Sequence, residues 1–181
     1  DLDSTPTVSL SNYVSAGSFS TAFATGNAAL TATTDAMTFT INGLGTVENT
    51  ATTAVEQKIV TATLTDIETV NVNATGTNVI ALAGTDMLAL NIAGAGNVTV
   101  TSVATSTTSV DASESTGNIS VDTTAAAAGA LTSVATGSGD DTVTLTKETA
   151  GSNATISGGA GADTLTYNTG AVADIVQYSM S

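Results

Sequence analysis

Thr69-Val70-Asn71-Val72 is answered twenty residues later by Ala89-Leu90-Asn91-Ile92, and twenty later again by Ser109-Val110-Asp111-Ala112. Each phrase alternates polar and apolar residues, the period-2 signature of a strand with one face inward. The series continues at Val134 and Ile156, after slightly longer steps. The run Ala125-Ala126-Ala127-Ala128 can hold the extra residues of the step from Val110 to Val134.

A second series interleaves with the first. It comprises Asn78-Val79-Ile80-Ala81-Leu82, Asn97-Val98-Thr99-Val100-Thr101, Asn118-Ile119-Ser120-Val121, Thr142-Val143-Thr144-Leu145 and Asp163-Thr164-Leu165-Thr166. Gly, Asn or Asp bounds each strand. Two short strands in each ~20–22 residues is the arithmetic of a repeat that coils, with like residue stacked over like. The expected fold is all-β: a right-handed parallel β-solenoid over residues 65–181. Val70, Leu90, Val110, Val134 and Ile156 should form one inward rank. Val79 or Leu82, with Val98, Ile119, Val143 and Leu165, should form the facing one. A β-sandwich with evenly spaced strands is the alternative.

Residues 1–64 show no such spacing. Thr7–Leu10, Ala36–Ile41 and Lys58–Leu64 read as strands, and 18–30 could hold a short helix. An irregular β cap or sandwich-like region over 1–64 is expected, covering the open end of the coil. The tail reads as strand through Ile175-Val176-Gln177-Tyr178, a candidate last rung.

Gly158-Gly159-Ala160-Gly161-Ala162-Asp163-Thr164-Leu165-Thr166 fits the nonapeptide G-G-x-G-x-D-x-U-x of calcium-binding β-helices at every fixed position. Thr136-Gly137-Ser138-Gly139-Asp140-Asp141-Thr142-Val143-Thr144 lacks only the first glycine. The step from Asp141 to Asp163 matches one rung of the coil. Glycine permits the tight turn, and a carboxylate supplies the hard oxygen that Ca²⁺ prefers.

Composition narrows the function. Aromatics are 3% of the 181 residues, too few for a bulky globular core, and Thr, Ala, Val, Gly and Ser suit thin stacked strands instead. Sixteen acids face only Lys58 and Lys147, a net charge of −14. That disfavours nucleic acid and anionic membranes as partners and favours cations. Without Cys or His, disulfides, thiol and imidazole catalysis and typical zinc sites are excluded. No apolar run long enough to span a membrane occurs. No nucleophile elbow or paired-carboxylate motif stands out, so no enzyme is expected. The start Asp1-Leu2-Asp3, without Met, suggests a processed product or a fragment.

Thr65-Asp66-Ile67-Glu68-Thr69-Val70-Asn71-Val72, Ser109-Val110-Asp111-Ala112-Ser113 and the two Gly/Asp turns resemble the C-terminal region of bacterial RTX-type S-layer proteins. The resemblance covers residues ~62–168. It implies a secreted chain that coils on binding Ca²⁺ and tiles the cell surface with other copies of itself. It also brings cell-surface polysaccharide into view as an anchoring partner. By that resemblance Asp141 and Asp163 would give carboxylates to Ca²⁺, and Gly137, Gly139, Gly159 and Gly161 the turn geometry and carbonyls. Asp140 would be a further carboxylate or a solvated neighbour. Two departures stand out: one full nonapeptide rather than many, and no export signal.

Asp111, Asp122 and Asp86 are weaker candidates for metal, and Asp1 and Asp3 weaker still. Asp66 and Glu68 read as a solvated edge. The stalk of a large calcium-dependent adhesin shares the repeats and acidity, and is the alternative to a surface layer. Short Thr-x-Thr stretches such as Thr142-x-Thr144 make ice binding a third reading.

Overall fold

A computed structural model describes residues 7–11, 17–21, 35–48, 55–57, 59–146, 150–168 and 177–179. The chain forms β1 (Thr7–Ser11), β2 (Gly17–Thr21), β3 (Ala36–Asn42), β4 (Thr46–Glu48), β5 (Val55–Gln57) and β6 (Val60–Leu64). It continues through β7 (Thr69–Thr75), β8 (Thr77–Gly84), β9 (Ala89–Gly94), β10 (Asn97–Ser102), β11 (Ser109–Ser115) and β12 (Ile119–Asp122). β13 (Leu131–Ala135), β14 (Thr142–Thr146), β15 (Ala150–Ser157), β16 (Thr164–Asn168) and β17 (Gln177–Ser179) complete it. No helix occurs among the described residues.

The strands build a parallel β-solenoid. One sheet has the order β1-β3-β7-β9-β11-β13-β15-β17, the other β16-β14-β12-β10-β8-β6-β2. Successive strands cross from one sheet to the other, so each inner face rests on the opposite sheet. In the eight-stranded sheet Val70, Leu90, Val110, Val134 and Ile156 stack in one register, as expected, and all are buried. Fully burying such a side chain stabilises by about 1.5–3 kcal/mol. Repetition of small contributions, not a few large aromatics, therefore holds the coil.

The facing rank differs from expectation. Val60, Ile80, Val100, Val121, Val143 and Leu165 align across the seven-stranded sheet. Val98 and Ile119 belong two residues upstream, in the rank that starts at Asn78. A slip of two residues keeps every side chain on the same face, so alternation alone cannot detect it. Carried onward, the upstream rank reaches Asp141 and Asp163.

The parallel ladder also begins well before residue 65. β1 and β3 join β7 in one sheet, and β2 and β6 join β8 in the other. The region expected to be an irregular cap thus supplies solenoid strands. Its irregularity lies partly in an insertion: β4 and β5 pair antiparallel between β3 and β6. That hairpin hid the spacing, because the register partners Met37 and Val70 lie much farther apart in sequence than Val70 and Leu90 do. β4 contacts β8, where Val79 is fully buried. Gly17–Thr21 is strand, and the rest of the stretch read as a short helix lies outside the described residues. Of the tail, Gln177–Ser179 pairs with β15, as a last rung should.

Candidate metal centre

The two Gly/Asp turns enter β14 and β16, in adjacent rungs of the seven-stranded sheet. Asp140 and Asp141 face opposite ways, as neighbours on extended backbone must. Asp140 is exposed and Asp141 only 1% exposed. Each belongs to a separate ladder of side chain to backbone bonds. On the outer ladder, Asn97 Oδ1 accepts the Asn118 N–H at 2.9 Å and Asn118 Oδ1 accepts the Asp140 N–H at 3.1 Å. Asp140 Oδ1 then accepts the Ala162 N–H at 2.9 Å. On the inner ladder the direction reverses. Asp141 Oδ1 accepts the Ile119 N–H at 2.7 Å, and Asp163 Oδ1 accepts the Asp141 N–H at 3.1 Å. Asn78 does the same one end earlier, accepting the Leu44 N–H at 3.1 Å.

These bonds leave one atom without a partner. Asp141 Oδ2 is buried and accepts nothing. Thr136 and Gly137 face the carboxylate, but the Thr136 hydroxyl donates to the Gly158 carbonyl at 2.6 Å instead. Burial pushes the Asp141 carboxyl above the ordinary value of 3.8. The Ile119 N–H pulls it back, while the neighbouring Asp163 pushes it up again. A carboxylate in this position costs free energy until something compensates its charge.

The glycines have a purpose of their own. A Cβ on Gly139 would lie 2.6 Å from the Gly117 carbonyl oxygen, and one on Gly117 or Gly161 would strike the carbonyl of the glycine one rung earlier. Gly137 likewise abuts the Ser115 carbonyl, and Gly159, at φ +75°, abuts that of Gly137. Close stacking of the turns therefore demands glycine in rungs with and without the aspartates. Gly158 is different, because a Cβ there would collide with the Asp163 carboxylate folded beneath it.

Calcium takes about 6–8 oxygen ligands. The turns offer only hard oxygen: the Asp141 and Asp163 carboxylates and stacked peptide carbonyls. Among the described residues no three acidic side chains gather around one point. Carbonyl oxygens must then complete any shell, as in other sites built on glycine turns. The orphaned Asp141 Oδ2 fits a cation, and the outward Asp140, bonded to Ala162, is a rim residue.

The weaker candidates are engaged locally. Asp111 Oδ1 accepts the Ser113 N–H at 3.0 Å and its hydroxyl at 2.6 Å. Asp122 Oδ1 accepts the Thr124 N–H at 2.9 Å. Asp86 Oδ2 accepts the Thr85 hydroxyl at 3.1 Å and faces the Asp66 N–H at 3.4 Å. Glu68 Oε2 accepts the Asp35 N–H at 2.7 Å. Asp1 and Asp3 lie outside the described residues. Sequence reasoning passed over Thr136 and the Asn97–Asn118–Asp140 ladder. The even spacing of those three was its available signal.

The fold and this centre together define a parallel β-solenoid with paired Gly/Asp turns at its C-terminal rungs. Comparison with protein-family models, with curated proteins and with solved structures finds no match to this chain.

Proposed function

We propose that this chain is a secreted structural module that folds on Ca²⁺ and assembles with its own copies into a bacterial surface layer. The observation that carries the metal half is the buried, unpartnered Asp141 Oδ2 between two glycine-rich turns. Asp141 and Asp163 would hold the ion with carbonyls of the same turns. Bound calcium supplies positive charge where two stacked carboxylates meet. Binding free energy at that point becomes folding free energy for the last rungs.

The assembly half rests on the resemblance, the acidic composition and the architecture. A solenoid presents long repetitive faces, which suits a module that packs against neighbours. Sixteen acids against two lysines make divalent bridging between copies an available glue, and leave few sites for trypsin-like cleavage on an exposed coat. Secretion to the cell surface supplies the calcium-rich setting this requires.

Negative-stain electron microscopy of the purified protein, with calcium and with EGTA, tests the reading. Ordered sheets that form with calcium and disperse in EGTA support a surface layer. Single rods in calcium would instead favour the adhesin stalk, and identical particles in both buffers would refute the role of calcium.

A further inference from the structure

A groove of about 490 Å³ crosses the outer face of the eight-stranded sheet, on rungs earlier than the Gly/Asp turns. One wall is the rank Thr38, Asn71, Asn91 and Asp111, one residue from each of β3, β7, β9 and β11. The other wall carries Asn73 and Glu114, with the small Ala93 between them opening the space. Glu114 is brought opposite Ala93 by a register shift in β11 that follows Asp111. Val72 and Ile92 are 1% exposed, so the floor they contribute is peptide backbone.

Apart from Ala93 the wall side chains are polar, and they mix donors with acceptors. The Asn91 amide donates to Asn71 Oδ1 at 2.9 Å, which orients both amides along the groove. One face of the Asn71 NH₂ and the Asn91 oxygen remain to meet a ligand. Ser113 fixes the Asp111 carboxylate through Oδ1, leaving Oδ2. Two carboxylates, Asp111 and Glu114, thus stand at one end, with no cationic side chain in the lining. The wall from Thr38 to Asp111 spans three strand spacings, roughly 14 Å.

We propose that this groove binds an extended oligosaccharide bearing free amino groups. A sugar in an extended polymer advances by about one strand spacing, so successive units meet successive side chains of one rank. Hydroxyls pair with the Asn71, Asn73 and Asn91 amides, which both donate and accept. An ammonium group pairs with Asp111 and Glu114, and the charge-assisted bonds set its orientation. Uronate or phosphate-bearing glycans are repelled by the same two carboxylates. A simple linear polyamine matches less well, because its ammonium groups offer no acceptor to the Asn NH₂ groups. The site deepens the surface-layer reading, whose resemblance already brings a polysaccharide partner into view, but it needs no calcium at the Gly/Asp turns.

The test is a ¹H–¹⁵N NMR titration of the calcium-replete protein with fully deacetylated chitotetraose, N-acetylated chitotetraose and tetralysine. Asn71, Asn73 and Asn91 side-chain amide shifts with the deacetylated sugar support the assignment. Asp111→Asn and Glu114→Gln, both isosteric and on the surface, should each weaken binding on the order of tenfold, the equivalent of one lost bond to a charged group. Asp122→Asn, on the other sheet, should leave it unchanged. Equal binding of the acetylated sugar would overturn the ammonium assignment. Equal binding of tetralysine, or no shifts at these amides, would overturn the site. Calcium binding at Asp141 is read separately, so its failure leaves this result interpretable.

Discussion

Asp141→Asn should make the metal-free protein more stable and the calcium-bound protein less so. The substituted side chain keeps an oxygen to accept the Ile119 N–H, now 2.7 Å from Asp141 Oδ1. What it removes is the buried charge on the unpartnered Oδ2. In its place stands an NH₂ that can donate toward Asp163, the neighbour whose charge now opposes that of Asp141. An unsatisfied buried group costs about 1–3 kcal/mol, and more when charged. Relief of about 1–2 kcal/mol in EGTA is a modest expectation on that scale. For a chain of this size it corresponds to a rise of roughly 2–8 °C in melting temperature. In calcium the order reverses. The wild type gains about 2.7 kcal/mol at a hundred times its dissociation constant, and the variant loses most of that gain. Differential scanning calorimetry of both proteins, in EGTA and in calcium, gives the four midpoints. A variant less stable than wild type in EGTA would refute the claim that the buried charge is uncompensated. An undiminished calcium shift in the variant would refute Asp141 as a ligand.

Other expectations follow from the same structure. The folded Asp141 carboxyl holds its proton to higher pH than the unfolded one. Its contribution is therefore fully present below the unfolded value, near 3.8, and is lost as pH rises through the folded one. Melting curves in EGTA should show the wild-type deficit against Asp141→Asn shrinking as pH falls from 7 toward 4. Thr107 is fully buried with an unpartnered hydroxyl, so Thr107→Val should stabilise by about 1 kcal/mol in urea unfolding. Asn78 accepts from Leu44 and donates to the Thr75 and Asn97 carbonyls, at 2.9 and 3.3 Å, across three rungs. Asn78→Ala should cost about 3 kcal/mol in the same assay, against no measurable change if water replaces those bonds.

Much of the coil was legible because one side-chain rank repeats at constant spacing. Val70, Leu90 and Val110 announce both the strand and its register, since nothing interrupts the chain between their rungs. The earlier rungs were illegible for a local reason: the β4–β5 hairpin lengthens the step between Met37 and Val70 well beyond that of the later rungs. The facing rank slipped by two because Val98 and Val100, like Ile119 and Val121, are equally apolar and face the same way.

That slip matters most at the centre. Placing Ile119 beside Val143 hid the fact that Ile119 stands over Asp141, and hence that this aspartate points into the coil. The nonapeptide pattern singled out these two turns but blended two causes. Its glycines answer to turn stacking, as Gly117 shows in a rung that has no aspartate pair. The case for metal narrows to the inward carboxylates, above all Asp141, whose orphaned oxygen no sequence pattern could reveal.

A high-resolution crystal structure grown in millimolar calcium, with anomalous data, tests the central claim most directly. The account predicts an anomalous peak bonded to Asp141 Oδ2 and to carbonyl oxygens of the flanking Gly/Asp turns. Asp141 Oδ2 bonded instead to a water or a protein donor, with no such peak at either turn, would contradict it.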